Sequence, residues 1–187
     1  MKKWFVRFTL VAILCLFVAS GIYFYNLVFQ GMDVTEPEEL NALAQTISSF
    51  QMPEGFIVQK GATSFWKKNV QIGPADYSRG PIFILVQLHS DWTDPDFSIK
   101  GFDKGFVVGL HDITFNQEQK ENLTINGKNI TFTHATGLNT GGNQYEKLLG
   151  LYQGEKYSLL ILAFSDYREW DKDFVHDFIS TLNPIEN

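Results

Sequence analysis

Between Phe8 and Phe29 the chain runs for twenty-two residues without a charge, behind a short basic start of Lys2, Lys3 and Arg7. No other segment limits the fold as strongly. A helix rises about 1.5 Å per residue, so a run of this length spans a hydrocarbon core of roughly 30 Å, longer than the apolar core of about 7 to 15 residues usual in a cleaved signal. The sequence therefore predicts a single-pass anchor over residues 1–30. The alternative is a signal cleaved near Ala19-Ser-Gly21. Asp33, Glu36, Glu38 and Glu39 follow the run, so the positive-inside rule keeps the N-terminus in the cytoplasm and sends the rest to the outer, periplasmic or extracellular, side. Membrane contact is expected through residues 4–29, with Trp4, Tyr23 and Tyr25 near the two ends of the segment.

Cys15, the single cysteine, lies inside this run, preceded by Leu14 and followed by Leu-Phe-Val-Ala. That context does not resemble a lipoprotein attachment site and reads as a buried thiol behaving as a small hydrophobe. Residues 33–187 have no cysteine, so an exported domain cannot rely on disulfides or a Cys-based zinc site. Its stability has to come from its core, which about 155 residues can supply as one domain. Without Lys2, Lys3 and Arg7, twelve basic residues face twenty-one acidic ones, a formal charge near −9. Bulk charge of that sign argues against nucleic-acid partners.

Residues 31–34 read as a linker and residues 35–187 as the exported domain. Thr35 with Glu38 has capping-box spacing, and Leu40, Leu43, Ala44 and Ile47 repeat on one helical face, so a helix is predicted after Thr35. Strands are predicted at 56–60, 64–72 and 81–89, the last buried on both faces because its apolar run is unbroken. Only a short irregular helix is expected around Phe97 to Val107. Asn126-Gly127 between 120–125 and 128–134 supplies the residues a two-residue hairpin turn needs. Residues 136–143 read as a loop. A second hairpin follows at 145–152 and 157–164, then a helix from near Asp166 with Glu169 at the reciprocal capping position and Trp170, Phe174, Val175, Phe178, Ile179 and Leu182 on one face. The expected fold class is α+β: an N-terminal transmembrane helix, then an antiparallel sheet of about six to seven strands covered by helices.

No complete phosphate loop, nucleophile elbow, zincin or calcium-loop motif occurs in the sequence, and neither a catalytic residue nor a cofactor is expected. The nearest approach to a metal site is His89, Asp91, Asp94 and Asp96, an imidazole beside three carboxylates at a strand end. Asp94-Pro-Asp96 reads equally as turn chemistry. His111-Asp112 or His134 with Ser90 holds the residue types of a nucleophilic triad, though nothing in the spacing brings them together. Trp92, Asp91 and His111 are the candidate binding residues, Trp92 because an amphipathic ring in an irregular segment suits an adaptable contact. Asn122-Leu-Thr124 and Asn129-Ile-Thr131 match the glycosylation sequon and mark an exposed turn.

Ile47-Ser-Ser-Phe-Gln-Met-Pro53-Glu-Gly55-Phe56, with Trp170-Asp171, Val175, Phe178-Ile179 and Leu182 closing the chain, resembles uncharacterised bacterial proteins with one N-terminal membrane segment and a small exported domain. The arrangement is also similar to the PsbP/Mog1-like sandwich. That resemblance implies an accessory or binding module, with another envelope protein or a small ligand as partner. The competing expectation is a metal-dependent or hydrolytic enzyme using residues around His89 to Asp96 and His111.

Overall fold

The structure, a computed structural model, describes Val18, residues 32–89 and residues 112–185. Among residues 32–89 and 112–185, ten strands and two α-helices follow in order. They are β1 Met32–Val34, α1 Pro37–Ile47, β2 Ser48–Ser49, β3 Phe56–Thr63, β4 Lys67–Pro74, β5 Ile82–His89, β6 Ile113–Ile125, β7 Lys128–Asn139, β8 Gln144–Gln153, β9 Tyr157–Asp166, α2 Lys172–Ser180 and β10 Asn183–Pro184. A 3₁₀ turn, Tyr167–Glu169, separates β9 from α2. Eight strands form one antiparallel sheet in the order β1-β3-β4-β5-β9-β8-β7-β6, and β2 pairs with β10 beside it.

The expected fold class is corrected by this architecture. Among the described residues strands dominate, in an eight-stranded sheet accompanied by two helices of eleven and nine residues, in place of the expected α+β domain of six to seven strands behind a transmembrane helix. Among the described residues no helix is long and apolar enough to cross a membrane, so the single-pass reading is not carried further. The run Phe8–Phe29 lies outside the described residues except for Val18, and so does the irregular helix expected around Phe97 to Val107. The added strand is β1, placed in the linker by sequence. Its three residues pair with Gly61, Ala62 and Thr63 of β3, a long-range ladder without a periodic signal of its own.

Both helices lie on one face of the sheet. α1 buries Leu40, Leu43, Ala44 and Ile47, and α2 buries Val175, Phe178 and Ile179; together they enclose Val70, Ile72, Phe83, Leu85, Phe132 and Ile161. Pro37 occupies the first turn of α1, and Glu36 stands at the N-cap without a side-chain hydrogen bond. The Thr35 capping box does not form, since a proline at that position already has helical φ and no N–H to satisfy. α2 starts later than the sequence suggested because Asp171 caps it, its Oδ1 accepting from Phe174 N at 3.0 Å. β5 is buried on both faces, as its apolar run implied, with Ile84 and Val86 joining Leu149, Leu160 and Leu162 in a second cluster on the opposite face.

Two local devices shape the sheet. Asn126 and Gly127 have φ of 48° and 74°, so the expected hairpin turn forms, but its strands continue to Ile113 and Asn139. Residues 136–139 therefore belong to β7 and not to a loop. The register slips between Phe115 and Gln117, which moves Ile113 and Phe115 to the second cluster while Leu123 and Ile125 face the helices. These four share one parity in sequence, and only a bulge can place them on two faces. Gly150 sits directly opposite Phe132, and a Cβ there would lie 2.5 Å from the ring. Gly150→Ala is expected to cost about 2 kcal/mol by urea denaturation, because Phe132 is fully buried and has nowhere to retreat. An unchanged midpoint would show that the ring can move.

Candidate functional site

At one end of the sheet, two turns distant in sequence are brought together because β5 and β9 are neighbours, with Ile82 opposite Phe164. The first, Ala75 to Pro81, links β4 to β5. The second is the 3₁₀ turn after β9. Both contain an aspartate, a tyrosine and an arginine in close order: Asp76-Tyr77-Ser78-Arg79 and Asp166-Tyr167-Arg168. In each the aspartate Oδ1 accepts from the backbone N–H two residues on, Ser78 at 2.9 Å and Arg168 at 3.0 Å. These Asx turns hold the tyrosine between them outward. Tyr77 is 70% exposed and Tyr167 53%.

Tyr77 has a φ of 56°, the left-handed region that a ring-bearing residue enters at a cost of order 1 kcal/mol or more. Its N–H bonds to Pro74 O at 3.1 Å, which closes the turn and holds the strained backbone. Strain of this kind, kept at an exposed aromatic, is a pointer to function and not to packing.

Two clefts flank Ser78, Arg79 and Gly80. The larger, about 530 Å³, is walled by Phe56, Pro74, Pro81 and Phe174 and carries Asp76 and Glu169. The smaller, about 300 Å³, is lined by Arg79, Arg168, Asn143, Tyr145, Phe164 and Asp166. Tyr145 and Phe164 stack there with centroids 5.4 Å apart and planes 6° from parallel. Arg168 grips Asp166 through both Nε and Nη2 at 3.0 Å. These bonds, with the Arg168 backbone N–H and the charges of Arg168 and Arg79, hold the Asp166 carboxyl down at about 2. Arg79 is exposed and makes no ion pair among the described residues. Two of the three arginines in an acidic chain thus meet at one cleft.

Of the residues singled out from sequence, Asp91, Trp92, Asp94, Asp96 and His111 lie outside the described residues. His89 closes β5 at the opposite end of the sheet from the clefts, its ring edge-on to Tyr157 at 5.6 Å. No group of three or more metal-ligating side chains occurs among the described residues. His134, weighed with Ser90 for a triad, pairs with Glu146 at 2.5 Å and stacks on Trp170 at 5.5 Å. Ser165 stands opposite Glu146 in the sheet, but its Oγ is buried and has no hydrogen-bond partner. Ser165 is nonetheless among the residues that line the smaller cleft. His176 is half-buried and bonds Glu121 at 3.1 Å, and Lys172 bonds the same carboxylate at 2.8 Å. Burial alone raises the Glu121 pKa, but the hydrogen bonds and charges of these two partners outweigh it and set the value below normal. The pairs fasten α2 to β6.

The class defined here is an antiparallel β-sheet module with helices on one face and an arginine–tyrosine rim at one end. No family model and no curated protein matches the chain. Among solved structures it is similar to the crystal structure of LpqN, a protein involved in cell envelope biogenesis of Mycobacterium tuberculosis. The likeness has 16% identity and a TM-score of 0.40, covering 73% of this chain and 83% of that one. At that level it carries no argument about binding or activity, and the PsbP/Mog1-like resemblance gains no support from it.

Proposed function

We propose that the chain is an accessory binding module of the bacterial cell envelope, associated with a membrane through residues 4–29, whose ligand or partner meets the Asp-Tyr-Arg rim. The observation that carries this reading is the convergence of two like turns, each presenting an exposed tyrosine beside an arginine, on the clefts they share. Tyrosine and arginine are among the residues most enriched at the energetic centres of binding surfaces, the ring because it offers area at small entropic cost and the guanidinium because it bonds in a fixed planar fork. A binding role also suits His134 and His176, whose rings are held by Glu146 and Glu121.

A photoreactive amino acid placed at Tyr77 or Tyr167, in cells that make the protein, is expected to give a discrete adduct in the envelope. The same group at Phe65, 80% exposed at the other end of the sheet, is expected to give none. Equal labelling at all three positions, or no adduct from the rim, would sink the reading.

A further inference from the structure

We propose that the smaller cleft binds the anionic group, carboxylate or phosphate, of a ligand whose apolar or aromatic portion lies against the Tyr145–Phe164 stack. This rests on the rim being the binding surface and specifies what one of its two clefts accepts.

The charges within the cleft favour an anion. Asp166 stays ionised throughout the physiological range, so it neutralises Arg168 and fixes the plane of that guanidinium. The positive charge of Arg79 is left over. The net charge of −6 on the chain opposes an anion at long range, but at physiological ionic strength such fields decay over about 8 Å, so Arg79 dominates inside the cleft. Across Arg79 the larger cleft has the opposite character, with Asp76 and Glu169 on its wall. An anionic group is therefore directed to one side of Arg79 only.

The remaining surfaces define the rest of the ligand. Tyr145 and Phe164 are half-buried and stacked on each other, which leaves ring surface at the cleft for an apolar or aromatic body. Asn143 and Ser78 add neutral hydrogen-bonding groups at the edge. A volume of about 300 Å³ is at the small end of ligand sites and fits a single-ring molecule. A bare inorganic ion would use the guanidinium and leave the rings unfilled.

The test uses the full-length chain in a mild non-ionic detergent at 0.15 M salt, titrated calorimetrically with phenyl phosphate, benzoate, inorganic phosphate and benzyl alcohol. Phenyl phosphate or benzoate is expected to bind at least about tenfold more tightly than inorganic phosphate, which lacks the ring, and than benzyl alcohol, which lacks the charge. The order of the first two tells a phosphate ligand from a carboxylate one. Arg79→Gln is expected to weaken the better probe by about tenfold or more, and Arg79→Lys to recover part of the loss. Lys120→Gln removes an exposed cation elsewhere and is expected to leave binding unchanged. Equal weakening by Lys120→Gln would reduce the effect to bulk charge and overturn the assignment. So would an unaffected Arg79→Gln, binding of benzyl alcohol as tight as that of the anions, or no binding of any probe. Failure here with rim-specific crosslinking intact removes the anion assignment alone, whereas loss of the crosslinking pattern removes the binding surface itself.

Discussion

Phe83→Ala is expected to lower the unfolding free energy by about 4 kcal/mol, the largest effect of any single core truncation argued from this fold. Phe83 is fully buried in β5, with its ring 4.2 Å from that of Phe178, 6.1 Å from Phe174 and 6.2 Å from Phe56. Removing the ring leaves a cavity under α2, bounded by side chains of the sheet and helix that cannot all collapse inward. Urea denaturation followed by circular dichroism measures the loss. A cost below about 1.5 kcal/mol would show that the site closes over and that the aromatic cluster is not the centre of the core. Phe174 also lines the larger cleft, so the same substitution should speed amide exchange in α2 and disturb the rim.

The second large effect concerns a buried polar pair. His134→Ala is expected to destabilise the domain by roughly 3 kcal/mol, because it leaves the Glu146 carboxyl group, with a side chain only 7% exposed, without its hydrogen-bond partner and facing a cavity. The loss is greater than the pair itself contributes, since most of it is the cost of leaving a buried polar group unpartnered. Replacing both residues by leucine is expected to recover most of the stability, and the double-mutant cycle reads the coupling directly. A single mutant within about 0.5 kcal/mol of the parent would mean that water reaches Glu146 readily. The Trp170 ring stacked on His134 ties this pair to the segment between the 3₁₀ turn and α2, next to Arg168.

Much of the fold could be read in advance where the information is local. Asn126-Gly127 requires positive φ, so a hairpin turn follows from two residues. The face made by Leu40, Leu43, Ala44 and Ile47 repeats at helical spacing, and 81–89 is apolar throughout because both of its faces are covered. Local pattern is insufficient where a distant partner decides. Met32–Val34 is a strand only because β3 offers an open edge. Residues 136–139 look like a loop, with Gly137 among them, yet they pair with both β6 and β8. Pro37 displaces the Thr35 cap through its own ring geometry, a local signal that competes with the capping-box spacing.

The candidate site was legible in one respect only. Asp-Tyr-Ser-Arg and Asp-Tyr-Arg occur near the ends of two predicted elements, and the chain has just three arginines. Eighty-nine positions separate Arg79 from Arg168, and no spacing rule joins them. Titratable residues crowd together in sequence from His89 to Asp96 instead, and that local density carries no information about the rim.

By itself the sequence determined the acidic, cysteine-free character of the domain, the apolar N-terminal run, the α1 face, the Asn-Gly hairpin and the doubly buried β5. All of these follow from composition or from periodicity within one element. Only the tertiary structure decided the eighth strand, the bulge that turns β6 from one face to the other, the His134–Glu146 pair and the meeting of two arginines at one cleft. Each depends on which strands are neighbours, and strand order is settled by the packing of the whole sheet against its helices, which no short stretch of sequence contains.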